Sequence, residues 1–345
     1  MRLPSQLTTL LPGLGALLCL PSVAFAQSVT LPGITVQGAT LDTSRAPPPA
    51  SRPATSPSTP ATEVATEAQT SDTGGVAREK IGSAVTIVTG EDLRAQQVRH
   101  VADALRSLPG VSVGRSGGPG SLTQVRIRGA EANHTLVLID GIEANATSDG
   151  DFDFATLLTE DIDRIEVIRG PQSGLYGSKA IGGVINIITR TGKGPLTATV
   201  RAEGGSYGTS DVAARVSGGS DKAWIAASVQ RRGSLYFNNA PIGSEEDPWR
   251  NVTTAVRGGV TLLQGMTVDF SVRDVNRDLE FDRDEVPFGG VLTRQTDSPN
   301  TTKQDTFLGG VNLRWDMFGG ALSHVVSANR NVTDVRSLTS GFFGG

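Results

Sequence analysis

Residues 163–189 decide the fold, and they read DRIEVIRGPQSGLYGSKAIGGVINIIT. The runs Ile162–Ile168 and Val184–Thr189 are rich in β-branched residues, which is the composition of strands. Glycines at positions 170 and 177 follow the first run, where the chain must turn tightly. The stretch therefore predicts two strands joined by a glycine-containing connection.

The domain around these strands is predicted to span residues 79–194 and to be of the α+β class. Further short strands are predicted at Ala84–Thr89, Gln124–Arg128 and Thr135–Asp140. Apolar residues recur at helical spacing over residues 93–108. A segment of roughly 110 residues with such apolar faces is long enough to enclose a core of its own.

Beyond this domain, residues 195–345 alternate between apolar and polar side chains, as in the run Met266–Arg273. We count about seven such runs, each near the roughly 9–11 residues that a tilted transmembrane strand needs. Short connections separate them, except for longer polar loops predicted at Asn238–Arg250 and Asp278–Lys303. The pattern predicts the N-terminal part of an antiparallel transmembrane β-barrel, and a soluble β-sandwich is the alternative.

Three N-terminal segments are predicted to lie outside both domains. Residues 1–26 have the basic, apolar and Ala24-Phe25-Ala26 features of a secretory signal peptide. Residues 27–43 are a short mixed segment. Residues 44–78 are rich in Pro, Ala and Thr, so they cannot bury enough apolar surface to fold and a disordered linker is expected.

Composition argues against several functional classes. The formal charge is −4, with 31 Lys and Arg against 35 Asp and Glu, so the chain has no basic footprint for nucleic acid. Its one cysteine, Cys19, lies in the predicted signal peptide. The mature chain is therefore expected to form no disulfide, thiolate metal site or cysteine nucleophile.

Two stretches of the α+β domain carry a family resemblance. The first runs from QVRIRG at residues 124–129 to TLVLIDG at residues 135–141, and the second is the stretch at residues 163–189. Charged strands, an R-G-P turn and an A-I-G-G-V-I-N strand follow in this order, and together they resemble the plug of TonB-dependent outer-membrane receptors. The resemblance implies a receptor in the bacterial outer membrane, in contact with its lipid, that transports a small molecule and is not an enzyme.

The family's barrel has 22 strands around the plug. A chain with about seven strands is therefore expected to be truncated. A non-transporting periplasmic binding protein that contains the plug is the alternative from another class.

In the family, a short segment near the mature N-terminus, the TonB box, is bound by the energy-transducing protein TonB. Ile34, Thr35, Val36 and Gln37 resemble this box in position and character. An extended Ile/Thr/Val segment on a long tether suits β-strand addition to the edge of a partner's sheet. A segment with some β-propensity and no partner would look the same, so the assignment depends on the plug.

Charged residues on otherwise apolar plug strands are expected to face a polar barrel lumen. Those predicted to make plug–barrel contacts, or to pair with one another, are Arg126, Arg128, Glu166 and Arg169. An ordinary strand with one solvated face would show the same alternation.

The glycine-rich run at residues 117–122 and the segment from Asp140 to Asn145 look most like the cobalamin-receptor branch. That likeness implies a corrinoid substrate, and a ferric siderophore is the alternative. The resemblance places the following residues in apical plug loops that touch the substrate: Ser116, Gly117, Ser121, Leu122, Asn145 and Asp149.

No cofactor is expected, with calcium as the one candidate exception. Cobalamin receptors can use calcium in extracellular barrel loops, and Glu280, Asp282 and Asp284 lie in a predicted long loop. A solvated acidic loop would give the same pattern.

Overall fold

The computed structural model describes residues 84–146, 148–235, 238, 246–285 and 294–339, without the side chains of residues 283–285 and 294–299. The predicted signal peptide, the Ile34–Gln37 segment, the linker and the boundary at residue 79 all lie outside these residues. Within the described part of the chain, no helix is long and apolar enough to cross a membrane.

A five-stranded sheet forms the centre of the α+β domain. In spatial order, its strands are β1 (Ala84–Thr89), β6 (Ile162–Arg169), β7 (Gly183–Thr189), β4 (Thr135–Ile139) and β5 (Ile142–Glu143). Strands β4 and β7 are parallel, and all other neighbours are antiparallel. The two strands predicted from residues 163–189 thus lie side by side, and a short helix, α3 (Ser173–Tyr176), lies in their connection.

A separate hairpin of β2 (Val111–Arg115) and β3 (Thr123–Ile127) adds Val125 and Ile127 to the core of the domain. Strand β2 was not predicted, because its short sequence VSVGR runs straight into serine and glycine. The apolar cluster at the centre of the domain includes Leu93, Val101, Ile165, Ile185 and Ile187.

The apolar run at residues 93–108 is two helices rather than one, α1 (Gly90–Ala95) and α2 (Val101–Arg106). The first helix begins with a capping box between Thr89 and Asp92. The chain then leaves the helix at Gln97, whose φ is 55°. At the start of α2, a tertiary hydrogen bond replaces the one that a continuous helix would make. The Val101 amide donates to the carbonyl of Leu157 at 3.1 Å.

The remaining strands form one antiparallel sheet in sequence order. They are β8 (Gly194–Gly205), β9 (Thr209–Gly219), β10 (Ala223–Ser234), β11 (Trp249–Leu263), β12 (Met266–Glu285), β13 (Arg294–Met317) and β14 (Leu322–Leu338). The predicted fold class, an α+β domain followed by about seven antiparallel strands, is confirmed. The predicted loop at Asp278–Lys303 is wrong in extent, because β12 and β13 stay paired from Asp278–Lys303 out to Glu285–Arg294.

The two faces of this sheet, which we call the strand sheet, have opposite character. One face exposes apolar side chains to the outside, among them Val200, Ile225, Val229, Val311 and Trp315. The other face lies against the α+β domain and buries polar residues, including Gln230, Asn251 and Arg273. Polar inside and apolar outside is the reverse of a soluble sandwich and is the pattern of a membrane barrel.

The connection between the two domains is tightly packed at Gly192. A Cβ atom added there would lie 1.9 Å from the carbonyl oxygen of Ile225 on β10. Only glycine allows the chain to pass so close to that backbone on its way into β8.

Candidate functional site

Three buried arginine–aspartate pairs join the α+β domain to the strand sheet. Arg257 on β11 pairs with Asp140 at 3.0 Å, Arg277 on β12 pairs with Asp153 at 2.6 Å, and Arg273 on β12 pairs with Asp161. Every one of these side chains is at most 11% exposed. Breaking a buried pair leaves an uncompensated charge, so each pair holds the domain in one position on the sheet.

The pair at Asp140 lies nearer the end of the sheet with the short turns. Asp140 accepts hydrogen bonds from the amide of Thr189 at 2.9 Å and from its hydroxyl at 2.6 Å. Arg257 also donates to the carbonyl oxygen of Thr189 at 2.6 Å. One strand-sheet residue therefore contacts the ends of both β4 and β7, the parallel pair of the central sheet.

The pair at Asp153 lies toward the other end of the sheet. The Arg277 guanidinium donates to the carbonyl of Gly120 at 2.9 Å and to Gln304 at 2.7 Å, besides its pair with Asp153. Asp153 in turn accepts from the amide of Thr123 at 2.9 Å. A single arginine thus fixes two loops of the α+β domain against β12 and β13.

A histidine–tryptophan contact lies beside this pair. The rings of His100 and Trp249 are 5.8 Å apart, and Trp249 also presses on Gly120, where an added Cβ would come within 3.0 Å. Burial, followed by the nearby positive charge of Arg232, lowers the pKa of His100 from 6.5 to about 4. His100 is therefore neutral at physiological pH.

The four residues predicted as plug–barrel contacts do not make the buried pairs. Glu166 accepts from Arg164 and Asn186, and Arg169 donates to the carbonyl of Pro109 and to Thr86, all within the α+β domain. Arg126 donates to Gln124 on the same strand, and Arg128 is exposed with a φ of 51°. The hydrogen bonds of Arg126, Glu166 and Arg169 thus lie within the α+β domain and do not join any two of the four residues. Their role in plug–barrel contacts stays a prediction.

The residues that do make the pairs were not singled out from the sequence. The arginines stand at alternating positions of predicted strands, which marks them as facing the polar side. Their aspartate partners are 112 to 124 residues away for Arg273 and Arg277, and 117 positions away for Arg257. No local pattern connects residues so distant in the chain.

A cavity of about 820 Å³ lies between the α+β domain and strands β12–β14. Four of the predicted substrate residues line it, namely Ser116, Ser121, Leu122 and Asp149. It lies toward the end of the sheet where the long connections join β10 to β11 and β12 to β13. Loops from both domains therefore meet around one space of the size typical for a small-molecule ligand.

Two predicted substrate residues have other positions. Asn145 is buried and structural, because its side chain accepts from the amide of Val137 at 2.7 Å and donates to the carbonyls of Thr135 and Gly150. Gly117 is exposed and is absent from the cavity lining. A polar residue in a loop can serve to fix that loop, and this is what the side chain of Asn145 does here. Its predicted contact with the substrate stays a prediction.

The candidate calcium ligands lie on β12 rather than in a loop. Asp282 is buried and lines the cavity, Glu280 is half-buried, and the side chain of Asp284 is outside the described set. Among the described residues, no group of three His, Cys, Asp or Glu side chains could hold a metal ion. Calcium binding therefore stays a prediction.

The α+β domain is joined by ion pairs to the polar face of a sheet whose other face is apolar, an arrangement typical of plugged membrane barrels. Residues 77–184 match the family model of the TonB-dependent receptor plug domain. The chain therefore carries a TonB-dependent receptor plug, as its sequence predicted, and we call the α+β domain the plug from here on.

Known proteins similar to this chain support the same class. A vitamin B12 transporter of Photobacterium profundum is 38% identical over 178 residues, which are 51% of this chain and 29% of that protein. The ferripyoverdine receptor of the outer membrane of Pseudomonas aeruginosa aligns over 76% of this chain and 36% of its own, with 16% identity and a TM-score of 0.60. The siderophore receptor PiuA from Acinetobacter baumannii aligns over 73% and 37%, with 17% identity and a TM-score of 0.57.

At these identities the two solved structures establish a shared fold and nothing about the ligand. The chain spans about a third of the length of each of these relatives.

Proposed function

We propose that this protein acts in energy-coupled uptake of a scarce nutrient across the bacterial outer membrane, with TonB as its energy-transducing partner. The observation that carries the proposal is the plug, matched over residues 77–184 and clamped to the polar face of the strand sheet. The apolar opposite face suits contact with outer-membrane lipid. It is unfavourable for a soluble periplasmic binding protein, because it would leave a large apolar surface in water.

The arrangement suggests an order of events. Outer-membrane barrels have short turns on the periplasmic side and long loops outside, so the cavity faces the outside and the Asp140–Arg257 pair lies nearer the periplasm. The substrate enters the cavity and contacts plug loops that Arg277 holds. TonB then pulls on the Ile34–Gln37 segment, and the plug shifts once its ion pairs with the sheet open.

The coupling step is tested by Thr35→Pro, since proline removes a backbone donor that strand addition to TonB needs. We expect uptake to be abolished and binding at the cell surface to persist. Thr55→Pro is the matched control, because it makes the same change in the proline-rich segment. Full uptake by the Thr35→Pro variant would refute the coupling segment.

For the substrate, we propose a corrinoid. The 38% identity with a vitamin B12 transporter over 178 residues supports this choice. The direct test is uptake of radiolabelled cyanocobalamin and of a ferric siderophore by cells that lack their own receptors for both. Uptake of the iron chelate alone would replace the corrinoid with the siderophore alternative.

A further inference from the structure

The charge of the cavity distinguishes between the two candidate substrate classes. Four carboxylates line it, from Asp149, Asp151, Asp153 and Asp282. Among the described residues of the lining, Arg277 is the single cation, and its charge is balanced by its pair with Asp153. The formal charge of the lining side chains is therefore −3, and Asp149 and Asp151 supply two of the four carboxylates.

The rest of the lining is uncharged and mixed in polarity. Hydroxyl and amide groups come from both domains, for example Ser121, Thr306 and Asn331. Apolar contacts come from Leu122, Phe281 and Val332. Such a surface matches a ligand with a broad apolar framework and neutral hydrogen-bonding groups around it.

We propose that Asp149 and Asp151 are specificity-determining residues that exclude polyanions from this cavity, so that it admits an uncharged amide-rich ligand of the corrinoid type. A ferric tris-catecholate carries three negative charges, and the cavity repels it. This inference rests on the proposed function, which supplies the two candidate ligands. The cavity would discriminate by repelling the anionic ligand, and this requires no additional contact with the favoured, uncharged ligand.

The two aspartates are suitable for substitution because neither holds the plug to the sheet. Asp149 is exposed and accepts a hydrogen bond from the amide of Asp151 at 3.2 Å, and Asp151 accepts one from Gln124 at 2.5 Å. Asparagine keeps an accepting oxygen at each position and removes the charge. Asp221→Asn is the matched control, since Asp221 is exposed in the short turn between β9 and β10, at the far end of the sheet.

The experiment measures binding of two matched ligands to the full chain in lipid vesicles. The probes are cyanocobalamin and its tricarboxylic acid, which share one framework and differ by three negative charges. At low salt we expect the acid to bind roughly thirtyfold more weakly than the parent, from repulsion between charges about 10 Å apart. In the double variant Asp149→Asn/Asp151→Asn, we expect the acid to bind only about threefold more weakly than the parent. Added salt should also reduce the difference in affinity between the two probes in the wild type.

Other outcomes have distinct meanings. Equal affinity of the wild type for both probes would overturn the exclusion role. So would a ratio of the two affinities that the double variant leaves unchanged. Either result leaves the proposed function standing if TonB-dependent uptake is still observed. The exclusion role is also overturned if Asp221→Asn reduces the ratio of the two affinities as much as the double variant does. The effect would then come from the net charge of the whole protein rather than from the cavity. If neither probe binds and no uptake occurs, both the inference and the proposed function fail.

Discussion

The interior of the plug and its contact with the strand sheet are stabilised by different chemistry. The interior is a continuous apolar cluster, in which Ile165, Ile185 and Ile187 are completely buried. The contact with the sheet is made mainly by charge pairs and by polar bonds, such as the one from the Asn251 side chain to the carbonyl of Thr156 at 3.0 Å. Leu308 of β13 is the sheet residue that joins the apolar cluster, among the described residues. Water can replace polar partners but cannot replace apolar ones. We therefore expect the contact with the sheet to open to water more readily than the interior of the plug.

The substitution with the largest expected effect removes the arginine of one plug–sheet ion pair. Arg257→Ala leaves the Asp140 carboxylate buried without its cation, which costs about 3–5 kcal/mol. We expect faster hydrogen exchange where the plug meets the sheet, with the amides of β6 and β7 still protected. Arg250→Ala is the control, because its pair with Asp278 is exposed and contributes about 0–1 kcal/mol. Adding Asp140→Asn to Arg257→Ala should restore part of the loss, and global unfolding in the single variant would contradict the comparison.

The second test creates a cavity in the apolar interior. Ile185→Ala removes a fully buried side chain and should lower the free energy of unfolding of the plug by about 2–5 kcal/mol. The expected hydrogen-exchange pattern is the reverse of that for Arg257→Ala, because the amides of β6 and β7 should now exchange faster. Ile181→Ala makes the same change at a half-exposed position and should have little effect. Hydrogen exchange that increased only at the contact with the sheet would show that the interior and the contact are not independent.

The smallest effect concerns pH and His100. Its folded-state pKa of about 4 lies below the unfolded value of 6.5, so between these values the unfolded chain binds a proton that the folded chain does not. Stability should therefore fall as the pH drops below 6.5, by about 2 kcal/mol at pH 5. Denaturant titrations at pH 7 and pH 5 measure this difference, and His100→Gln should remove it. An equal pH dependence in that variant would assign the effect to other groups.

The sequence predicted the local elements well and the long-range contacts poorly. The glycine turns and β-branched runs of residues 163–189 were sufficient for β6 and β7, and strict alternation was sufficient for the seven strands. Prediction failed where tertiary contacts decide, as in the break near Gln97, or where polar strands pair beyond the expected turn, as in β12 and β13. Ser116, Ser121, Leu122 and Asp149 were named from the sequence and line one cavity, and their contact with a substrate stays a prediction. The arginine–aspartate pairs were not predicted, because they depend on how two domains are placed.

The close approach of Gly192 to Ile225 has a mechanical consequence for any movement of the plug. The connection is anchored against β10 only a few residues after the end of β7, so this corner of the plug cannot travel far from the sheet. Under the proposed function, we expect a pulling force on the N-terminal side to rotate the plug about this point rather than to withdraw it along an axis. In such a rotation the displacement would grow with distance from that point, and the loops held by Arg277 at the opposite end would move through the longest arc.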